Sequence, residues 1–217
     1  MNYCALDIGN VLVHANFQPF LNQLSKSLNI TLEEAGYFMN RSQCLHDLGC
    51  TTMLSELKDH FKIRSPIIIE ELIEKWNKVI EPNFDIIHRI DRMVRHDDLQ
   101  VALLSNVGLE HAQQMAQILD IGDFFKSAIK FFSCHVGARK PTLVYYHTFL
   151  QLHPTFKGCP YVDDLQENLD AGQQFGFKTM RFSLEDVMSK GSTTAIGRDY
   201  HDKTAQLERF ILGKPKQ

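Results

Sequence analysis

The sequence predicts an α/β fold built on a five-stranded parallel sheet, with a block of helices inserted behind the first strand. Three observations carry this reading. From residue 81 onward, short apolar segments alternate with amphipathic helical patterns, the signature of βαβ units. Residues 17–80 show helical periodicity without a strand signal between the helices. And Asp7, Ser105 and Asp164 each fall at the carboxyl end of a segment that reads as a strand, the edge where open α/β sheets bind ligands. The division that follows is an α/β domain from 1–16 and 81–217, and a helical domain from 17–80.

Tyr3 to Leu6 is apolar and too short for a helix before the Gly9-Asn10 break, so it reads as a buried strand ending at Asp7. An Asp that merely begins a turn is common; a carboxylate placed there is also suited to act as a nucleophile or metal ligand. Phe17, Phe20, Leu21, Leu24 and Leu28 recur at helical spacing. Thr31 with Glu34 three residues later is a capping-box pattern for a helix over 31–40. Arg41 to Gly49 reads as a looser segment. Thr51 or Thr52 caps a helix carrying Met53, Leu54, Leu57 and Phe61, and Pro66 opens another that reaches about Ile80. These four helices read as a separately packed insert.

Residues 84–96 form a helix with Ile86, Ile87, Ile90, Met93 and Val94 on its apolar face. Strands are predicted at 99–104, 128–132, 161–162 and 179–182, and helices at 108–119, 141–152 and 166–175, the last stopped by Gly176. The end of the chain, Gly213 to Gln217, reads as frayed.

Composition narrows the function. A formal net charge of -3 argues against a nucleic-acid protein, which needs a basic face. No apolar run is long enough for a transmembrane helix, and no signal peptide is read at the start. The five cysteines have no CxxC spacing and suggest neither a zinc site nor a disulfide framework. A reducing cytoplasm is the expected location.

One parallel sheet would bring Asp7, Ser105, Asp164 and the loop residue Lys140 to one edge. Phosphoryl transfer wants this set. A carboxylate attacks phosphorus, a hydroxyl and an ammonium hold the non-bridging oxygens, and a hard cation relieves the repulsion among the acidic groups. Mg²⁺ with oxygen ligands is the expected cation.

These residues also carry a family resemblance. Asp7-Ile8-Gly9-Asn10-Val11-Leu12 resembles the first motif of the haloacid dehalogenase (HAD) superfamily, and Leu103-Leu104-Ser105-Asn106 its second. Gly137-Ala138-Arg139-Lys140-Pro141 resembles the third, and Val162-Asp163-Asp164 with Asn168 the fourth. The order and spacing match over nearly the whole chain. The resemblance implies a Rossmann-like three-layer core with strand order 5-4-1-2-3, and a helical cap where the insert lies. It implies Asp7 as nucleophile, Ser105 and Asn106 on the phosphate, and Lys140 as the orienting and neutralising cation. It further implies Mg²⁺ held by Asp7, the Gly9 carbonyl and Asp164, with Asp163 and Asn168 nearby or acting through water. The first motif is most similar to a DxGN subgroup that includes sugar-phosphate phosphatases.

Most phosphatases of this family carry a second Asp two positions after the nucleophile as general acid and base; here Gly9 stands there. The family's dehalogenases lack that Asp too, but they need no metal and would leave Asp163 and Asp164 unexplained. The expectation is a Mg²⁺-dependent phosphatase of a small phosphorylated metabolite, with no nucleic-acid or membrane partner. The alternatives are a 2-haloacid dehalogenase and a non-catalytic domain that binds a phospholigand or a protein. Arg41 and His46, in the loose segment, are candidates to read the substrate, with a solvated surface as the plainer alternative. His14 and His46 are candidates to replace the missing acid–base group.

Overall fold

The computed structural model describes residues 2–119, 124–188 and 193–214. Strand β1 (Asn2–Leu6) is followed by β2 (Val13–Ala15) and four helices: α1 (Gln18–Leu28), α2 (Leu32–Asp47), α3 (Met53–Phe61) and α4 (Pro66–Asn77). Then come β3 (Ile80–Pro82), α5 (Phe84–His96), β4 (Leu99–Ser105), α6 (Leu109–Ile118), α7 (Phe124–Ser127) and β5 (Ile129–Phe132). The chain continues through α8 (Ser133–Val136), α9 (Leu143–Leu152), β6 (Pro160–Asp163), α10 (Gln166–Gln174), β7 (Lys178–Arg181), α11 (Leu184–Met188) and α12 (Thr193–Ile211).

Five strands form a parallel sheet in the order β5-β4-β1-β6-β7. Counting only these strands, that is 3-2-1-4-5, the implied order read from the other edge. Because side chains alternate along a strand, each strand feeds both faces. Cys4 and Leu6 of β1 join Leu103 and Val162 under α5 and α12. Ala5, Leu104 and Tyr161 turn the other way, against Tyr145, Tyr146 and Phe149 of α9 and Leu169 of α10. Helices therefore cover both faces, which is why these strands read as continuous apolar runs.

The segment after β1 begins and ends on a two-stranded antiparallel ribbon, β2 with β3, and α1–α4 lie between its strands. The ribbon was not expected: three-residue strands are too short to show a period. No strand lies within residues 17–79. The Thr31–Glu34 capping box is formed, with Thr31 N–H donating to Glu34 Oε2 at 2.7 Å and Glu34 N–H donating to Thr31 Oγ1 at 3.1 Å. Pro66 stands in the first turn of α4. Phe20, Leu24, Phe38, Leu57, Leu72 and Trp76 belong to the same apolar cluster as β1 and α5.

Two boundaries also differ. The stretch read as loose, residues 41–49, is helical to Asp47. Its inward residues are Ser42, His46 and Asp47, all buried, so its periodicity is polar and an apolar search misses it. Helix α9 begins at Leu143, two residues after Pro141, which follows a cis bond from Lys140. Of the tail expected to fray, 215–217 lie outside the described residues.

Candidate active site

Strand register assembles the site. Leu6 pairs with Val162 and with Leu103, so Asp7 comes level with Asp163, and Ser105 lies one residue further along β4. The Asp7 N–H donates to the Val162 carbonyl at 2.8 Å, which extends the strand pairing to the carboxylate itself.

Lys140 stands at the centre. Its Nζ donates to Asp7 Oδ1 at 2.7 Å and to Asp163 Oδ2 at 2.6 Å, and the residue is 2% exposed. Burial alone would lower the ammonium's pKa, but Asp163 and then Asp7 more than reverse it, so it stays protonated. The loop that delivers it is clamped by Asn106. That side chain donates to the Lys140 carbonyl at 2.9 Å and accepts from the Lys140 N–H at 2.8 Å. Asn106, expected on the substrate, thus spends both ends of its amide on the lysine's backbone.

The three carboxylates differ. Asp163 is fully buried and its oxygens are taken. Tyr161 Oη donates to Oδ2 at 2.5 Å, and Asn168 Nδ2 and the Leu165 N–H each donate to Oδ1 at 2.9 Å. Burial would raise its pKa, but Lys140 and these donors outweigh burial and lower it. Burial raises Asp7 despite Lys140, with the charge of Asp163 adding to the rise. Burial raises Asp164 as well, against the opposing 3.2 Å hydrogen bond from Asn10 Nδ2. Asn10 is held in the left-handed region, φ 52°, one of the few side chains that tolerate it.

Oxygens of Asp7, Asp163 and Asp164 lie within 4.8 Å of one another, with one lysine to offset three carboxylates. Asn168 Oδ1 is buried beside them without a partner. An all-oxygen set carrying excess negative charge and an orphaned amide oxygen fits a hard divalent cation such as Mg²⁺. Because Asp163 is saturated by Lys140, Tyr161, Asn168 and Leu165, the carboxylates open to a metal are Asp7 and Asp164; Gly9 lines the same space.

A cavity of about 210 Å³ opens above this edge and is lined by Asp7, Gly9, Ser105, Asn106, Lys140 and Asp164. Buried Ser105 ends β4 beside it. Residues of the inserted helices close the other side. His46, 3% exposed, sits over Gly108, where a Cβ would meet its ring at 2.0 Å. His46 Nε2 is 2.6 Å from Glu110 Oε2, and Glu110 also accepts from the Met53 N–H at 3.0 Å. Arg139 reaches Asp47 at 3.1 Å, and Ser133 Oγ donates to the Asp47 carbonyl at 2.5 Å. The helical insert is thus fastened to α6, α8 and the lysine loop by polar contacts.

Arg41, named as a substrate candidate, is exposed on α2 and does not line the cavity. Its position on the helix points it away from the face that carries Ser42 and His46. His14 does not line the cavity either. Val13 and Ala15 do, and strand alternation turns His14 to the opposite side. Sequence reasoning missed Tyr161, Glu110 and Trp76. Each lay in an apolar or amphipathic pattern that explained it adequately.

No family model matches the chain, and no curated protein matches it in sequence. Solved structures do match in shape. A HAD family enzyme from Bacteroides thetaiotaomicron, in complex with magnesium and inorganic phosphate, superposes with a TM-score of 0.67 at 16% identity, covering 83% of this chain and 93% of that one. A predicted HAD-like family hydrolase from Porphyromonas gingivalis gives 0.66 at 17% identity over 91% and 97%. The L-2-haloacid dehalogenase of Xanthobacter autotrophicus, with chloropropionic acid covalently bound, gives 0.54 at 13% over 96% and 87%. This chain therefore has the α/β fold of HAD-family enzymes.

Proposed function

We propose that the protein is a Mg²⁺-dependent phosphomonoester hydrolase that works through an aspartyl phosphate on Asp7. The observation that supports this most is the Asp7–Lys140–Asp163 arrangement beside Ser105 and Asp164 at one sheet edge. A structural neighbour of the same fold, in complex with magnesium and inorganic phosphate, adds to it.

Asp7 and Asp164 would hold Mg²⁺ with the Gly9 carbonyl, and the bound ion would offset the charge of the arriving phosphate. The remaining work falls to the chain. The Asp7 carboxylate attacks phosphorus, an oxygen–phosphorus bond forms, and the ester bond to the alcohol breaks. Lys140 fixes the Asp7 carboxylate and offers positive charge where the non-bridging oxygens gather. Ser105 donates its hydroxyl to one of them. Water then attacks phosphorus, the bond to Asp7 breaks, and phosphate leaves. Gly9 supplies no proton, so the departing alcohol takes its proton from solvent or from another group.

A haloacid dehalogenase is the second reading, favoured by Gly9 and by the apolar part of the cavity wall. Phosphate release from a panel of phosphate monoesters, with Mg²⁺ and with chelator, tests the first reading. Chloride release from a 2-chloroacid that persists in chelator would support the second. The substrate is read as a small phosphorylated metabolite and the setting as cytoplasmic. Among the described residues no helix is long and apolar enough to cross a membrane.

A further inference from the structure

Helix α2 of the insert ends among the loops of the catalytic edge. A helix leaves the carbonyls of its last turn without intrahelical partners. Here three are taken by the chain that follows: Cys44 by the Leu48 N–H, Leu45 by the Cys50 N–H and His46 by the Gly49 N–H. The fourth, Asp47, accepts from Ser133 Oγ at 2.5 Å. Ser133 is fully buried. Its one hydroxyl proton goes to Asp47, because the Val107 carbonyl lies further off at 3.4 Å, and its oxygen accepts from the Val107 N–H at 2.9 Å. The junction is tight. Gly49, at φ 71°, lies so near Cys134 that a Cβ there would be 2.6 Å from the Cys134 carbonyl oxygen.

These contacts close a ring. Val107 follows Asn106, which holds the Lys140 backbone through both ends of its amide. Lys140 follows Arg139, whose guanidinium lies 3.1 Å from Asp47 Oδ2. That last contact is ionic, since Asp47 Oδ2 and Arg139 Nε both lack a hydrogen-bond partner. From Lys140 the path runs through Asn106, Val107, Ser133 and Asp47 and returns through Arg139. Asp47 alone among them comes from the insert.

We propose that Asp47 and Ser133 are positioning residues that keep the Lys140 loop in register with the turn carrying Ser105, so that the helical insert helps to place the ammonium on Asp7. This deepens the phosphomonoesterase reading and rests on it for the reaction served. The ammonium of Lys140 meets two carboxylates at 2.7 and 2.6 Å and leaves no slack. A misplacement of about 1 Å in such a group can cost about 10²-fold in rate. If Ser133 merely satisfied two buried backbone groups, its loss would be felt at those two groups and no further.

Amide hydrogen exchange, read residue by residue by NMR, tests the ring without substrate. The Val107 and Lys140 N–H groups both donate within it. Asp47→Asn keeps the shape and the backbone carbonyl and weakens only the ionic contact. Ser133→Ala cuts the hydroxyl link, although Ser133 makes no hydrogen bond to Lys140. In both variants the Lys140 N–H should exchange about tenfold faster, roughly what one lost hydrogen bond is worth. The comparison is with amides of β1 and β4, which report opening of the whole fold. Acceleration of Val107 alone in Ser133→Ala, unchanged Lys140 exchange in Asp47→Asn, or a rise at Lys140 no larger than in the strands would overturn the proposal. If Ser133→Ala does not fold, Asp47→Asn decides it. With Mg²⁺ and an aryl phosphate, both variants should lose kcat by about tenfold or more while KM stays within about twofold; a change in KM alone would count against positioning. Absence of turnover in the wild type would reject the phosphatase reading and leave the exchange result to judge the ring.

Discussion

The ammonium of Lys140 lies 2.7 Å from the Asp7 carboxylate, out of solvent and 133 residues away in sequence. That one contact joins the loop after α8 to the end of β1. It gives Asp7 a fixed orientation and leaves Lys140 dependent on carboxylates for its charge. Lys140→Met, which keeps most of the stem, leaves Asp7 and Asp163 buried without their cation. Breaking such a pair from one side costs about 3–5 kcal/mol. Urea unfolding at neutral pH should show a loss of that size along with lost activity; an unchanged midpoint would mean the pair is solvated and unimportant to the fold.

Asp163 and Asp164 are adjacent, yet their substitutions should act oppositely. Asp163→Asn removes an acceptor shared by Lys140 and Tyr161 and should destabilise the protein by about 1–3 kcal/mol, with or without metal. Asp164 is raised by burial, so its charged form is disfavoured in the folded state. Asp164→Asn should leave metal-free stability unchanged or slightly higher. It should also abolish the stabilisation that Mg²⁺ gives the wild type, about 2.7 kcal/mol at a hundredfold excess over Kd and visible as a higher melting temperature. Thermal melts of both variants with and without Mg²⁺ distinguish them, and a retained Mg²⁺ response in Asp164→Asn would remove it from the metal site.

His111 gives a pH signature. Burial, the larger influence, lowers its pKa from 6.5 to about 4 in spite of its bond to the Trp76 carbonyl. The unfolded chain therefore takes up this proton first. Stability from neutral His111 is complete above pH 6.5 and is lost as pH falls toward 4, by about 3 kcal/mol in all. Asp7, raised when folded, contributes in the opposite direction. The comparison is thus wild type against His111→Gln: their stability difference should change across this window, and parallel pH curves would show that His111 protonates freely in the fold.

Gly9 leaves room for the missing acid. A Cβ built there meets only Asp7 Oδ2, at an ordinary 3.7 Å. In the wild type, rates across phosphate monoesters should fall steeply as the leaving alcohol becomes more basic, because general acid catalysis is worth about 10²–10⁴-fold. Gly9→Asp should flatten that dependence and help alkyl phosphates most. A flat dependence in the wild type would show that another residue already donates the proton. His46 is the cavity-lining candidate, and His46→Gln the variant that would test it.

Much of the fold was legible because the sheet is buried on both faces, so its strands stand out as apolar runs between helices. The edge residues Asp7, Ser105, Lys140 and Asp164 were legible because chemistry of one kind recurred at strand ends. What stayed hidden was polar structure inside regular patterns. Ser42, His46 and Asp47 continue the inward face of α2 beyond Ala35, Phe38 and Met39, which looks like a gap in an apolar repeat. Glu110 reads as an ordinary acidic residue in a helix's first turn, yet it carries His46 and the start of α3. Arg41 and His46 are five residues apart and were equivalent in sequence; helical phase alone puts one in solvent and the other over the site.

The central claim is that Asp7 itself takes the phosphoryl group. Acid quenching within the first turnover, followed by mass spectrometry of the peptide containing Asp7, tests it. With Mg²⁺ and an aryl phosphate, that peptide should gain one phosphoryl group, alcohol should appear in a burst equal to the enzyme, and Asp7→Asn should show neither. Phosphate release by the wild type with no label on Asp7, or sustained turnover by Asp7→Asn, would contradict the account.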